Sequence, residues 1–246
     1  MKRRMALAGI AALVTGACSK ISKSDTGSKL LGAADDWHRK AHRALAGKRA
    51  LAKEYSRADL SSSFRGNGSL TVDSDFYRAQ LTNNFADWRL EVNGLVDTPL
   101  SLSLDNIRRL PQRTQITRHD CVEGWSAIGE WTGVQLSLLL DVARVKPEAN
   151  FIIFRCADTY KGTDYYESVD MVDAYHPQTI VAHMLNGAAL PEKNGAPLRM
   201  RIERQLGYKH AKYLTAIEAV ASLDDIGQGK GGYWEDTTGY QWYAGV

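Results

Sequence analysis

Cys121 lies in a polar and aromatic stretch, residues 117–131, whose side chains could carry chemistry. A thiolate, rather than a thiol, is the nucleophile and the soft metal ligand, and nearby cations favour it. Arg118 and His119 stand just before the cysteine, whereas the charge of Asp120 opposes a thiolate. The stretch predicts either a catalytic nucleophile or one thiolate ligand of a metal. A small buried hydrophobe is the third interpretation of a lone cysteine.

A second stretch, residues 195–213, is basic and contains several glycines. Gly207 lets backbone N–H groups approach an anion closely. Lys209 and Lys212 add point charges, and Arg199 offers a bidentate guanidinium. The pattern suits a cofactor that carries a phosphate, although a solvated basic loop has the same composition.

Residues 151–168 form a third stretch, in which polar and aromatic side chains follow an apolar run. Asp158, Tyr160 and Tyr165 are candidates for a site, because a tyrosine hydroxyl near a metal can orient a substrate oxyanion. Packing at an amphipathic sheet edge is the alternative. Cys156 lies within the apolar run, and this position predicts a structural role.

The composition excludes several classes of protein. The 246 residues are 44% hydrophobic and 24% charged, which is ordinary for a globular chain with one substantial core or two small ones. The net charge of +3 is too small to indicate a nucleic-acid partner. Three cysteines do not make a disulfide framework, and no zinc-site pattern or glycine-rich dinucleotide loop occurs.

Residues 1–18 have the pattern of an export signal. A basic run, residues 2–4, precedes an apolar run, residues 5–17, that is too short to span a bilayer as a mature helix. Small residues before Cys18 resemble a bacterial lipoprotein cleavage site, and plain cleavage nearby is the alternative. The paired arginines are typical of twin-arginine export, which moves folded proteins. We expect an exported, periplasmic protein. If the lipoprotein interpretation holds, a lipid at Cys18 anchors it to a membrane.

Residues 19–62 are predicted to form a tether followed by a helix. Residues 19–32 are rich in Ser, Lys, Gly and Thr, as flexible linkers are. Residues 34–57 carry apolar side chains at helical spacing, with Arg and Lys on the other face. Such a helix either lies near a membrane or a partner, or packs on the domain with a solvated face.

The remaining chain, residues 63–246, is predicted to be an α+β domain with a mixed sheet, because short strand-like runs follow one another with few helices between them. Predicted strands cover residues 88–92, 151–156, 165–171, 198–202 and 214–223, and predicted helices cover residues 103–110 and 133–145. Residues 179–184 fit a helix or an extended segment equally well.

Together these stretches resemble the sulfite oxidase family of molybdenum enzymes, whose cofactor is a molybdopterin. The resemblance covers residues 64–246 and rests on several blocks in the same order. The blocks are Cys121-Val-Glu-Gly-Trp-Ser, residues 151–168, Met184-Leu-Asn-Gly with Leu190-Pro, Gly195-Ala-Pro-Leu-Arg, Gly207-Tyr-Lys-His-Ala-Lys and Gly232-Tyr-Trp-Glu. Their order makes the resemblance specific, which no single block would do.

The resemblance implies roles for individual residues. It makes Cys121 the protein ligand of molybdenum and Tyr165 the tyrosine that faces the metal's oxo groups, with Arg118 as a further candidate catalytic residue. The implied cofactor-binding residues, besides Cys121, are Asn83, Asn84, Arg199, Gly207, Tyr208, Lys209 and Lys212. The two asparagines match the family pattern only loosely.

The activity that the resemblance implies is two-electron oxygen-atom transfer by a molybdenum–molybdopterin cofactor. The chain is similar to the haem-free bacterial catalytic subunits, which include the periplasmic reductase of protein-bound methionine sulfoxide. We therefore expect an S-oxide or sulfite-type substrate. The expected redox partner is a separate cytochrome, because no Cys-x-x-Cys-His haem motif occurs. Those subunits usually carry Arg before the cysteine, and Asp120 at this position does not favour the sulfite anion.

Two other functions fit parts of the sequence. A cofactor-free binding lipoprotein on the same fold is one, but it would need neither Cys121 nor the basic cofactor segment. A cysteine hydrolase is the other, and it would need a histidine base near the sulfur. His119 is two residues from Cys121, so both side chains share a face if both lie on one strand.

Overall fold

The computed structural model describes residues 24–47 and 50–246. The described residues divide into two compact units, residues 24–47 and residues 50–246. The predicted export signal, including Cys18, lies outside the described residues. No helix in the described parts of the chain is long and apolar enough to cross a bilayer.

Helix α1 (Asp25–Ala46) is the described element of the first unit. The predicted bounds, residues 34–57, are therefore wrong at both ends, and part of the predicted tether is helical. Gly47 adopts a left-handed φ of +77°, and its N–H donates to the carbonyl of Arg43 at 2.9 Å. A glycine in this conformation commonly ends a helix, which is why α1 stops before the apolar pattern does.

The second unit contains two five-stranded sheets. The first sheet consists, in spatial order, of β2 (Leu100–Ser103), β1 (Arg89–Gly94), β10 (Leu214–Val220), β5 (Phe151–Tyr160) and β6 (Thr163–Asp170). Strands β1 and β10 are parallel, and the other neighbours are antiparallel. The predicted mixed sheet is confirmed.

The second sheet is antiparallel. It consists, in spatial order, of β3 (Gln112–Asp120), β4 (Ser126–Gln135), β7 (Thr179–Leu185) and β8 (Ala188–Ala189). Strand β8 pairs with residues 184–185 of β7, and β9 (Arg199–Ile202) pairs with residues 179–182 of β7. The segment that fitted either a helix or an extended segment is thus a strand. Residues 50–56, predicted as helix, contain instead a bridge from Glu54 to Thr117 of β3.

Short helices connect the strands. They are α2 (Asp75–Thr82), α3 (Leu104–Arg109), α4 (Leu136–Ala143), α5 (Met171–Ala174) and α6 (Tyr233–Thr238), together with 3₁₀ turns at Arg57–Asp59, Glu192–Asn194 and Gly207–Lys209. Ser103 caps α3 by accepting the N–H of Asn106 at 3.1 Å, as its sequence predicts. Helix α4 begins later than predicted because Gly133 belongs to β4, where a Cβ would lie only 2.1 Å from the carbonyl oxygen of Val181.

The main core forms where apolar side chains of both sheets and the connecting helices meet. Leu90 and Val92 point into it from alternate positions of β1. Strand β5 lies between β10 and β6, and its Ile152, Ile153 and Phe154 are all fully buried. This burial on both faces explains the continuous apolar run in the sequence.

We expect Leu90→Ala to lower the free energy of unfolding by about 2–5 kcal/mol, because a fully buried leucine loses its contacts and leaves a cavity. Leu70→Ala is the matched control, since the Leu70 side chain is 52% exposed. This change should alter stability by less than about 0.5 kcal/mol. Urea unfolding followed by tryptophan fluorescence measures both, and equal losses would contradict the described core.

Candidate functional site

A cavity opens where the hairpins of the two sheets meet the C-terminal segment. Five segments line it: the loop at residues 67–69, the β3–β4 turn, the β5–β6 hairpin, residues 207–212 and the segment from α6 onward. The lining residues are Asn67, Gly68, Ser69, Cys121, Val122, Glu123, Asp158, Tyr160, Tyr165, Gly207, Tyr208, His210, Lys212, Trp234 and Tyr240. The cavity, counted with its open mouth, contains about 900 Å³ of empty space.

Cys121 lies at the start of the β3–β4 turn and is 7% exposed. The turn is closed by two backbone hydrogen bonds, from Cys121 N–H to the carbonyl of Trp125 at 2.9 Å and from Gly124 N–H to the carbonyl of Cys121 at 3.0 Å. The side-chain amide of Asn67 approaches the sulfur at 3.9 Å. Burial raises the pKa of the Cys121 thiol, so the protein alone does not favour a thiolate. A bound cation would, because metal ligation deprotonates a thiol.

His119 does not serve as a base for Cys121 in this structure. Its Nδ1 accepts a hydrogen bond from Nη1 of Arg201 at 2.8 Å. Nη1 of Arg201 also donates to Nδ1 of His210 at 2.9 Å. Burial, with Arg201 second, lowers the pKa of His119 well below its usual range. Nε2 of the neutral ring then carries the proton, and this atom lies against Gly207 without a hydrogen-bond partner. The geometry does not support a cysteine hydrolase.

Tyr165 stands in the cavity wall, and its predicted role of facing the metal's oxo groups stays a prediction. Its hydroxyl donates to the carbonyl of Tyr208 at 2.8 Å and lies 3.4 Å from Oε1 of Glu167. The ring stacks on Tyr233 with 5.6 Å between centroids. Burial raises the pKa of Tyr165 well above its usual range, so the hydroxyl stays protonated and can act as a donor.

Lys212 anchors the loop that faces Cys121 across the cavity. Its ammonium donates to the carbonyl of Asn67 at 2.7 Å, to that of Lys193 at 3.2 Å and to that of Ser69. Burial, with Arg199 second, lowers the pKa of Lys212 to about 7. The predicted cofactor-binding lysine therefore also holds the cavity wall in place.

Tyr208 and Gly207, which are predicted cofactor-binding residues, also line the cavity. The Tyr208 hydroxyl donates to the carbonyl of Gln241 at 2.6 Å, which ties this wall to the C-terminal segment. At Gly207 a Cβ would lie 2.4 Å from Nε2 of His119. A side chain at this position would collide with the His119 ring, whereas the predicted approach of the Gly207 backbone to an anion stays a prediction.

Several predicted site residues lie elsewhere. Arg118 is largely exposed and pairs with Asp120 at 2.9 Å, so its charge is neutralised outside the cavity. Asn83 and Asn84 follow the end of α2, where the Asn83 amide donates to Asp87 at 2.7 Å. None of these residues lines the cavity.

Arg199 and Lys209 are buried behind the cavity wall rather than in it. Arg199 donates to the carbonyl of Asn194 at 3.0 Å and lies over the Trp131 ring, 5.0 Å from its centroid. Burial lowers the pKa of Arg199 to about 9. Lys209 forms ion pairs with two buried glutamates. Both cations have protein partners behind the wall, and their predicted part in holding a phosphate stays a prediction.

Some lining residues were not predicted. Asn67 lies in a Gly-Asn-Gly segment whose composition indicates only a loop. His210, within the predicted basic segment, had no assigned role. Glu123 follows Cys121 by two residues but was given no role, whereas Trp234 and Tyr240 join the cavity only through tertiary structure. The aromatic character of these two was visible in the sequence, but their distance from Cys121 was not.

Residues 78–225 match the family described as oxidoreductase molybdopterin binding domain. The chain belongs to this family. It is a molybdenum-dependent oxidoreductase of the sulfite oxidase type with a molybdopterin cofactor, as the sequence blocks predicted.

Curated relatives point to one subgroup. The putative protein-methionine-sulfoxide reductase subunit YedZ1 of Azospira oryzae is 44% identical over 160 residues, which are 65% of this chain and 56% of that protein. The protein-methionine-sulfoxide reductase catalytic subunits MsrP of Campylobacter jejuni and Xanthomonas axonopodis are each 32% identical. These matches cover 55% and 63% of this chain and 50% and 52% of the relatives. The chain spans about half the length of these relatives.

A solved structure shares the fold. The sulfane dehydrogenase SoxCD from Paracoccus pantotrophus matches with a TM-score of 0.54 and 24% identity, over 63% of this chain and 42% of that chain. The predicted α+β, sulfite-oxidase-type architecture is confirmed.

The cavity residues fit the family's cofactor. A soft thiol, Cys121, is the kind of ligand that molybdenum shares with the pterin sulfurs. One buried polar atom of the lining, Oδ1 of Asp158, is an acceptor without a hydrogen-bond partner, and Nε2 of His119 is a second atom without a partner, outside the lining and behind Gly207. Buried polar groups are normally paired, so both atoms suit a polar cofactor edge. Lys212 adds the positive charge that an anionic group requires.

Lys212→Met should loosen the wall at residues 67–69, because three carbonyls lose a charged donor. Each such hydrogen bond contributes about 1.5–3 kcal/mol, so we expect amide hydrogen exchange there to accelerate about tenfold or more. Lys193→Met is the matched control, since Lys193 is exposed and only its backbone carbonyl takes part. Mass spectrometry of both cofactor-free variants measures exchange. Unchanged protection in Lys212→Met would contradict the anchoring role.

Proposed function

We propose that this protein is the catalytic subunit of an exported reductase that removes oxygen from S-oxides, with electrons supplied by a separate haem protein. The names of the relatives, which are methionine-sulfoxide reductase subunits, support this substrate class. The proposal goes beyond family membership, because the chain spans only about half of each relative.

The charge of the cavity carries the choice of substrate. Its lining contains two acidic side chains, Glu123 and Asp158, and one basic side chain, Lys212. Burial raises the pKa of Asp158 and lowers that of Lys212 to about 7. The remaining titratable ring, His210, is neutral, because burial and Arg201 lower its pKa well below the usual range. An anion such as sulfite gains little from this balance, whereas a sulfoxide is a neutral molecule with a strong acceptor oxygen. The observation favours reduction of an S-oxide over oxidation of sulfite.

Aromatic side chains form the outer wall. Trp234 stacks on Tyr240 with 5.8 Å between ring centroids and lies 5.1 Å from the ring of Tyr160. The rings of Tyr208 and Tyr240 are in contact, with 5.0 Å between their centroids. Sulfur of a thioether packs favourably on aromatic rings. This wall suits a methionine-like side chain and offers nothing specific to a small inorganic anion.

The reaction balances as one sulfoxide, two electrons and two protons giving one thioether and one water. The molybdenum–molybdopterin group supplies the two-electron oxygen transfer when it is bound. The protein's contribution is to place donors around it. The Tyr165 hydroxyl can turn from the Tyr208 carbonyl to the sulfoxide oxygen, and the Asn67 amide can stabilise negative charge on the Cys121 sulfur.

Export is part of the proposal. The basic and apolar runs within residues 1–18 support it, and paired arginines suit a protein that must fold around its cofactor before transport. Periplasmic location and a lipid anchor at Cys18 follow from the same pattern. A separate cytochrome follows from the absence of a haem motif in this sequence.

Cys121→Ser should abolish the activity. A direct metal ligand is lost, so we expect methionine sulfoxide reduction to fall by at least about 100-fold and the visible absorption of the cofactor to change. Cys156→Ser is the matched control, because Cys156 lies in β5 and does not line the cavity. The proteins would be made in a host that synthesises molybdopterin, and activity measured with reduced viologen dye as electron donor.

Molybdenum content by elemental analysis separates the alternatives in the same preparations. Metal with sulfite oxidation but no sulfoxide reduction would replace the proposed substrate with an anion. Persistent absence of molybdenum from the wild type, beside a loaded family member, would favour the cofactor-free binding lipoprotein.

Trp234→Ala should weaken substrate binding more than chemistry. A sulfur–aromatic contact contributes about 0.3–1.5 kcal/mol, so we expect KM for methionine sulfoxide to rise by up to about tenfold with a smaller change in kcat. Trp37→Ala is the control, because Trp37 is exposed on α1. Steady-state kinetics measures both, and an unchanged KM in Trp234→Ala would remove the aromatic wall from the substrate site.

A further inference from the structure

A lysine lies between two glutamates in the interior beside the cavity. Nζ of Lys209 is 2.6 Å from Oε2 of Glu167 and 2.5 Å from Oε1 of Glu235. None of the three side chains is more than 1% exposed. They come from three elements, namely the 207–209 turn, strand β6 and helix α6. We call these three side chains the buried cluster.

Charge counting favours an extra proton in the buried cluster. One ammonium and two carboxylates would leave a net negative charge in the interior, and an unpaired buried charge is expensive. Two carboxyl groups in close contact avoid this by sharing a proton. The Oε2 atoms of Glu167 and Glu235 both lie against Gly232, and that of Glu235 has no hydrogen-bond partner. A shared proton satisfies this geometry.

The titration directions agree with this count. Burial raises the pKa of Glu167 well above its usual range, and Glu235 raises it further while Lys209 opposes. Burial would lower the pKa of Lys209, but the two glutamates raise it overall. Both directions favour a charged ammonium on Lys209 beside a protonated carboxyl group on Glu167.

The buried cluster touches the cavity through Tyr165. Oε1 of Glu167, the oxygen not paired with Lys209, lies 3.4 Å from the Tyr165 hydroxyl, and Tyr165 lines the cavity. The other titratable groups acting on Tyr165 are Cys156 and Asp158 of β5. Neither of these two has an observed hydrogen bond to the Tyr165 hydroxyl among the described residues, so Glu167 is the acid placed to exchange a proton with it.

We propose that the buried cluster stores one proton and delivers it to the cavity through the Tyr165 hydroxyl during S-oxide reduction. The inference rests on the proposed function, because that reaction consumes protons inside the cavity. Glu167 and Glu235 act through Tyr165 and are positioning residues, whereas Tyr165 is the group that faces the substrate.

The step conserves atoms and charge. Glu167 takes the shared proton, and its carboxyl group turns so that the O–H points to Tyr165. This O–H bond then breaks as a new O–H bond forms on the Tyr165 oxygen. The original O–H bond of Tyr165 breaks as its hydrogen joins the oxygen released from the sulfoxide. The two electrons come from the haem partner, the second proton enters from solvent through the cavity mouth, and solvent later returns a proton to Glu167.

Infrared spectroscopy tests the stored proton without any assay of activity. We expect the wild-type protein at neutral pH to show a buried carboxylic-acid C=O band that shifts in D₂O. Either Glu167→Gln or Glu235→Gln leaves one carboxylate opposite Lys209, a neutral pair that needs no proton. Both variants should therefore lose the band while keeping the fold. Absence of the band in the wild type, or its persistence in both variants, would overturn the proposal.

Kinetics tests the delivery. Glu167→Gln should lower kcat for methionine sulfoxide by about 100-fold with little change in KM, and the solvent deuterium isotope effect on kcat should increase. Glu167→Asp should recover part of the rate. Glu218→Gln, on β10 and paired with Arg155 outside the buried cluster, is the matched control. Unchanged kcat and isotope effect in Glu167→Gln would refute delivery even where the infrared band is found.

The two experiments separate this inference from the function on which it rests. If both variants lose the band but the cofactor-loaded wild type does not reduce sulfoxides, the stored proton is supported. The proposed substrate and the delivery step are then rejected. Activity with no band would keep the substrate and reject the store.

Discussion

The buried guanidinium of Arg201 joins the elements on which the site depends. It pairs with Glu203 at 2.5 Å inside the protein, donates to the two rings of His119 and His210, and lies over Trp131 at 4.5 Å. Through His119 it fixes strand β3, which ends next to Cys121, and through His210 it fixes the segment that follows Gly207. A buried charge tolerates few arrangements, so these contacts determine the relative positions of the thiol and the cofactor segment.

Most cations of the basic segment hold the protein together rather than face the cavity. Arg199 and Arg201 are enclosed by carbonyls, rings and a carboxylate, and Lys209 is enclosed by two glutamates. Lys212 remains at the wall and is bound there to three carbonyls. The cavity is consequently much less positive than the sequence suggests, and this explains why a neutral, hydrogen-bond-accepting substrate fits better than an anion. The same enclosure makes the interior beside Tyr165 able to retain a proton.

Local patterns predicted much of the fold. The apolar run of β5 and the serine cap of α3 are local features that involve only a few neighbouring residues. The strand and the start of the helix could therefore be predicted from the sequence. The predicted end of the helix at 34–57 and the predicted start of the helix at 133–145 are wrong, and one glycine explains each error. Gly47 ends α1 by its left-handed conformation, and Gly133 belongs to a strand because β7 approaches it too closely for a side chain. Such approaches are tertiary and leave no periodic signal.

The sequence by itself determined the family, the cofactor class and the roles of Cys121 and Tyr165 as candidates, because several blocks kept their order and each contains a chemically distinctive residue. Tertiary structure alone decided which charges face the cavity. The sequence does not distinguish Lys212 from the other basic residues Arg118, Arg199 and Lys209. In the structure, protein partners neutralise or enclose these three. Asn67 and Trp234 join the site for the converse reason, since chain folding brings segments that are far apart in sequence to the cavity that Cys121 and Tyr165 line.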